Sequence, residues 1–185
     1  MPRSQLTQPD SNQLAYDVIP ARVINNSILS VRNHFTIDKG RLDGVEPSMG
    51  VVTLGGIAGI VKSVNERYAT VISLVNVDIR VSASIADKDY FGTLSWDGQA
   101  YSSLILNAIP THADINIGEK IVTNGYSTIF PPGLDIGEVV SFDINKNGAF
   151  YDVTVKPLVD FSSLDYVYIL KGNFAKELIS LIEDE

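Results

Sequence analysis

The sequence predicts an all-β fold of two small antiparallel β-barrel subdomains, preceded by a disordered linker and followed by a short C-terminal helix. Three observations carry that prediction. Apolar and polar residues alternate with period two, most clearly in Ile79-Arg80-Val81-Ser82-Ala83-Ser84-Ile85 and Tyr151-Asp152-Val153-Thr154-Val155-Lys156, so that each strand buries one face and wets the other. Glycine-containing turn dipeptides separate many of these runs and supply the positive φ that tight hairpins need. The halves also echo each other: Val51-Val52-Thr53 is answered by Ile121-Val122-Thr123, and Ala58-Gly59-Ile60-Val61 by Ile136-Gly137-Glu138-Val139. Such short matches also arise by chance where valine-rich strands lie beside glycines. If the echo is real, Gly59 and Gly137 occupy equivalent bends with no room for a side chain.

Taken in order, residues 1–17 are rich in Gln, Ser, Asn, Asp and Pro with isolated apolar positions, a composition that cannot build a core and reads as a linker. Strands are expected at Ile19–Ile24 and His34–Ile37. Gly55-Gly56 then joins Val51–Leu54 to Ile57–Val64, and Ala69–Leu74 and Ile79–Ile85 follow. The first subdomain is drawn as 18–86 and the second as 87–171. In the second, Asp97-Gly98 joins Tyr90–Trp96 to Tyr101–Leu106. Lys120–Thr123 is next, and Asn147-Gly148 joins Glu138–Ile144 to Phe150–Val155, where Pro157 removes a ladder donor. The last strand, Tyr166–Leu170, either closes the second barrel or crosses back to the first. Residues 172–185 read as a helix capped by Asn173, with Phe174, Leu178, Ile179 and Ile182 on one stripe and three carboxylates at its unfavourable end.

Composition narrows the chemistry. The formal net charge of −8, with no cluster of Lys and Arg, argues against a nucleic-acid partner. No stretch approaches the roughly 20 apolar residues of a membrane-spanning helix. With no cysteine there is no disulfide, thiolate nucleophile or Cys-ligated zinc, and the two histidines, His34 and His112, lack metal spacing. No catalytic, cofactor-binding or metal residue is assigned. The nearest imitation of a hydrolytic triad, Ser127 with His112 and Asp114, has no nucleophile elbow and no glycines for an oxyanion hole. Gly40, Gly44, Gly50, Gly55, Gly56 and Gly59 match no phosphate-loop spacing.

The blocks themselves are more informative. Phe35-Thr36-Ile37-Asp38-Lys39-Gly40, Asp43-Gly44-Val45-Glu46-Pro47-Ser48-Met49-Gly50, Gly118-Glu119-Lys120-Ile121-Val122-Thr123-Asn124-Gly125, Phe130-Pro131-Pro132-Gly133-Leu134-Asp135-Ile136-Gly137-Glu138-Val139 and Asp160-Phe161-Ser162-Ser163-Leu164-Asp165-Tyr166-Val167 run in the order of the conserved region of the MreC family of rod-shape proteins, which the chain resembles over residues 18–170. Asn124 stands where many members have Ser. The resemblance implies a non-enzymatic scaffold of two barrels outside the cytoplasmic membrane, organising peptidoglycan synthesis and cell shape. It implies self-association and binding to MreD and to the elongation-class penicillin-binding protein. It also implies a membrane anchor, a helix ahead of this region. Two other readings stay open: a barrel hydrolase with an unrecognised site, and a glycan- or small-molecule-binding barrel with Trp96 and Tyr101 as a stacking surface.

For the binding surface, the second half carries eight more residues than the first between its Thr and Gly, within Asn124–Gly133. They include Tyr126, Ile129 and Phe130 ahead of Pro131-Pro132. A loop stiffened by two prolines loses little entropy on binding, so these three residues are the expected partner-binding positions. The competing reading makes Phe130 a plug.

Overall fold

The computed structural model describes residues 17–171, leaving residues 1–16 of the expected linker and the expected C-terminal helix outside the described residues; Asp17, drawn as the linker's last residue, begins the first strand. All twelve expected strands form: β1 (Asp17–Asn26), β2 (Arg32–Ile37), β3 (Gly50–Val52), β4 (Ile57–Val64), β5 (Ala69–Asn76), β6 (Val81–Ile85), β7 (Phe91–Ser95), β8 (Leu104–Pro110), β9 (Lys120–Thr123), β10 (Asp135–Ile144), β11 (Phe150–Pro157) and β12 (Tyr166–Lys171). They close into two six-stranded antiparallel barrels, β1-β12-β3-β4-β5-β2 and β10-β11-β8-β7-β6-β9. Closure leaves neither sheet an open edge to recruit other strands.

The internal echo extends to individual residues. Val51 pairs with Gly59 and Ile121 with Gly137. The bulges match too: Ala58 and Lys62 are the extra residues on β4, Ile136 and Val140 those on β10. The Ser48 amide donates to the Val61 carbonyl at 2.8 Å and the Gly118 amide to the Val139 carbonyl at 2.8 Å, and both residues have positive φ (69° and 89°). Two bulges at fixed offsets re-aim a strand sharply, which is how a short sheet bends into a barrel.

Laying one barrel on the other matches β1–β5 with β7–β11 in order, and it matches β12 with β6. Each half has therefore given its sixth strand to the other's barrel. The division drawn at residue 86 is corrected for β6, which pairs with β7 and β9 in the second barrel; β12 pairs with β1 and β3 in the first, the crossing-back alternative of the two left open. The alternation of β6 marks a strand with one buried face but carries nothing about which distant strand it pairs with.

The barrels share a core. Ile37, Val51, Val71, Val167 and Ile169 fill the first barrel. A second cluster runs from Leu94, Leu104, Leu106, Val153 and Val155 in the second barrel to Val52, Ile57, Leu74, Tyr168 and Leu170 on the first. β12 thus serves both: Val167 and Ile169 point into its own barrel while Tyr168 and Leu170 face the other, the period of two dividing one strand between two cores.

Candidate partner-binding surface

In both halves a threonine stands between the strand and the divergent loop, Thr53 just after β3 and Thr123 as the last residue of β9. The Thr53 amide donates to the Gly56 carbonyl at 2.7 Å, closing a tight hairpin, whereas the Thr123 amide donates to the Leu134 carbonyl at 2.9 Å across the longer excursion. The Thr123 hydroxyl holds both ends of that excursion, donating to the Pro131 carbonyl at 2.6 Å and accepting from the Leu134 amide at 2.9 Å. Inside it, the Asn124 carboxamide oxygen accepts from the Tyr126 amide at 3.0 Å. The Ser127 hydroxyl accepts from the amides of Ile129 and Phe130 at 3.2 and 3.0 Å. Short polar side chains bonding to nearby backbone are the usual way of fixing an irregular turn. The loop is therefore internally tied as well as stiffened by Pro131 and Pro132.

The three expected binding residues separate. Tyr126 is 72% exposed, and its ring lies 4.8 Å from that of Phe91, itself largely exposed on β7. Ile129 is half-buried. Phe130 is only 1% exposed and belongs to the shared core, so it is the plug and not a displayed anchor. Its ring reaches across to β3 of the first barrel, where a Cβ on Gly50 would lie 2.7 Å from Cε1. The eight extra residues thus cross the barrel seam, and behind them Ile60, Arg80, Ser82 and Ile129 line a pocket of about 200 Å³. The Arg80 guanidinium donates there to the carbonyls of Val77 and Ile79 at 2.8 and 2.7 Å. Phe91 was not legible as part of this surface, because nothing local relates β7 to a loop more than thirty residues later.

The residues of the imitation triad have separate structural duties. Ser127 organises its loop, as above. The ring of His112 meets Tyr90 edge-on at 6.0 Å. The Asp114 carboxylate lies 3.8 Å from the Lys88 ammonium, which pairs at 2.5 Å with Glu119. Burial would push the Glu119 carboxyl upward, but the Lys88 contact and the Asn116 amide outweigh it and hold the group below the usual carboxylate range. The stacking surface of the glycan-binding reading is corrected as well: Trp96 is 4% exposed, its indole N–H donating to the Ala100 carbonyl at 2.9 Å. A buried indole offers a sugar no face.

Two fused barrels, presenting an ordered loop with exposed aromatics and occupying each imitation catalytic residue structurally, define an all-β double-barrel module. The model of the rod shape-determining protein MreC, barrel core, matches residues 23–171, and the chain belongs to that family, one of cell shape-determining proteins and not of enzymes. It is 33% identical over 159 residues to the cell shape-determining protein MreC of Listeria monocytogenes, covering 84% of this chain and 54% of the relative, and 25% identical over 136 residues to that of Escherichia coli, covering 74% and 37%. The chain spans about half the length of the curated relatives it matches. Among solved structures, MreC of Listeria monocytogenes superposes with a TM-score of 0.79 at 32% identity, covering 91% of this chain and 81% of that one. The major periplasmic domain of the cell shape-determining filament MreC gives 0.74 at 26%, covering 86% and 98%. A structure described as a complex between penicillin-binding protein PBP2 and MreC from Helicobacter pylori shares the fold, with a TM-score of 0.65 at 18% identity, covering 85% and 99%.

Proposed function

We propose that this chain is the extracytoplasmic barrel region of a cell-shape scaffold, held at the membrane by a segment preceding it. In this reading it organises peptidoglycan synthesis by associating with itself, with the elongation-class penicillin-binding protein and with MreD. Family membership supports the shape-determining role, and the Helicobacter pylori complex and the periplasmic filament domain support a penicillin-binding partner and self-association outside the cytoplasmic membrane. The observation that carries a surface is the Tyr126–Phe91 pair: large exposed aromatics, held by an internally bonded loop on a closed barrel, are the kind of rigid anchor that supplies most of the energy of an interface.

The test is the double variant Tyr126→Ala with Ile129→Ala, assayed for Kd against the purified penicillin-binding protein and for self-association by sedimentation. One of the two affinities should fall by about 1–3 kcal/mol while the fold persists. Phe130→Ala should instead cost about 3–5 kcal/mol of stability, since it empties a buried aromatic site. Unchanged affinity for both partners, in a protein shown to be folded, would move the interface off this loop.

A further inference from the structure

A second feature lies at the seam, lined by no residue of the Tyr126 loop. Between the Thr53–Gly56 hairpin and the connection from β11 to β12 runs a crevice of about 330 Å³. Leu54, Leu158 and Tyr166 stand exposed on its rim, and Tyr168 lies in its wall. Tyr168 is 2% exposed, and its hydroxyl, fully removed from solvent, has no hydrogen-bond partner among the described residues. A buried hydroxyl left unpaired costs free energy, and such exceptions call for an explanation. The rim is acidic. Asp165 is matched by Arg22 at 3.4 Å, but the hydrogen bonds of Asp160 come only from Ser162 and Ser163, and no cation pairs with it among the described residues.

We infer that this crevice is a docking site for a peptide segment of the penicillin-binding partner, one that carries an apolar side chain beside a Lys or Arg. The apolar side chain enters between Leu54, Leu158 and Tyr166, the cation meets Asp160, and, as the segment parts the exposed rim that covers Tyr168, one of its backbone carbonyls accepts the hydrogen bond that the hydroxyl lacks in the free protein. This rests on the reading above that the chain binds such a protein, and it adds a second point of contact with its own chemistry. The unpaired hydroxyl is the informative element, because a side chain serving only to fill the seam would be better as Phe. The hydroxyl burdens the free protein and is satisfied in the complex.

Tyr168→Phe separates these roles. It removes one oxygen, leaves the ring, and should raise Tm by about 2–4 °C while weakening the Kd for the purified penicillin-binding protein about tenfold. Leu54→Ser, at an exposed hairpin position, should weaken the same Kd with little change in Tm, and added salt should weaken wild-type binding by screening Asp160. A lower Tm for Tyr168→Phe would show that the hydroxyl is already satisfied in the free protein and overturn the inference. Wild-type affinity in both crevice variants, alongside a loss in the Tyr126→Ala, Ile129→Ala variant, would overturn the crevice alone. Loss of self-association in place of penicillin-binding-protein affinity would assign the crevice to a second copy of the chain. Failure of the wild-type chain to bind the penicillin-binding protein would overturn both this inference and that part of the proposed function.

Discussion

The matched pair Gly59 and Gly137 gives the duplication a quantitative test. A Cβ built on Gly59 would fall 2.1 Å from the Ile72 carbonyl oxygen and 2.9 Å from Val71 Cγ1; on Gly137 it would fall 2.2 Å from the Lys156 carbonyl oxygen and 2.8 Å from Val155 Cγ1. The obstacle in each case is first the backbone of the neighbouring strand, which no rotamer change can move. Ordinary van der Waals contact begins about 3.4 Å away, so alanine alone must push β4 from β5, or β10 from β11, by roughly 1 Å in a densely packed barrel. Overpacking of this kind costs about 1–3 kcal/mol, and a clash against backbone belongs at or above the upper end. We expect Gly59→Ala and Gly137→Ala each to destabilise by about 3 kcal/mol, within about 1 kcal/mol of one another. With an m-value of about 2 kcal/mol/M, the urea midpoint should fall by roughly 1.5 M. Gly125→Ala is the control, since a Cβ there meets nothing within 4 Å. If either substitution in the paired glycines shifts the midpoint no more than the control, or if their costs differ by more than about 2 kcal/mol, the equivalence of the two environments is wrong.

The exchanged strands make a further prediction: a chain ending at Pro157 lacks β12, so β1 and β3 lose the strand between them, and it should show neither barrel's cooperative unfolding by circular dichroism. The intact chain should unfold in one calorimetric transition because its core crosses the seam, and two resolved transitions would contradict this. The Lys88–Glu119 pair sets a pH dependence. The folded-state pKa of Glu119 is depressed, so its contribution is present above the unfolded-state carboxylate value and is lost as pH falls through the lower folded value. Over that acidic window Tm should drop more steeply in the wild type than in Glu119→Gln, and parallel curves would refute the assignment.

Much of the architecture was legible because strands and hairpins are local. Period-two alternation in Ile79–Ile85 and Tyr151–Lys156, the Gly55-Gly56, Asp97-Gly98 and Asn147-Gly148 turns, and the Val51/Ile121 echo depend on a residue and its near neighbours. Most appear in the structure as a strand, a hairpin or a matched register, although β6 starts only at Val81 and Asp97-Gly98 lies in a longer connection between Ser95 and Leu104 in place of a tight turn. The family was legible for a different reason, the order of several blocks along nearly the whole chain.

What the sequence alone determined, then, is where the strands lie and that the two halves are related. Only the tertiary structure decided which barrel each strand joins and which apolar residues of the long loop are displayed. β6 and β12 carry alternation that suits either barrel, and their exchange is settled by pairing with strands distant in the chain. Phe130 and Tyr126 are both aromatics in one turn-rich segment. Phe130 is buried against Gly50, eighty residues away, where a Cβ would collide with the edge of its ring, while Tyr126 stays outside beside Phe91. Alternation records that a face is buried, but the identity of what covers it is a property of packing between segments that no local pattern contains.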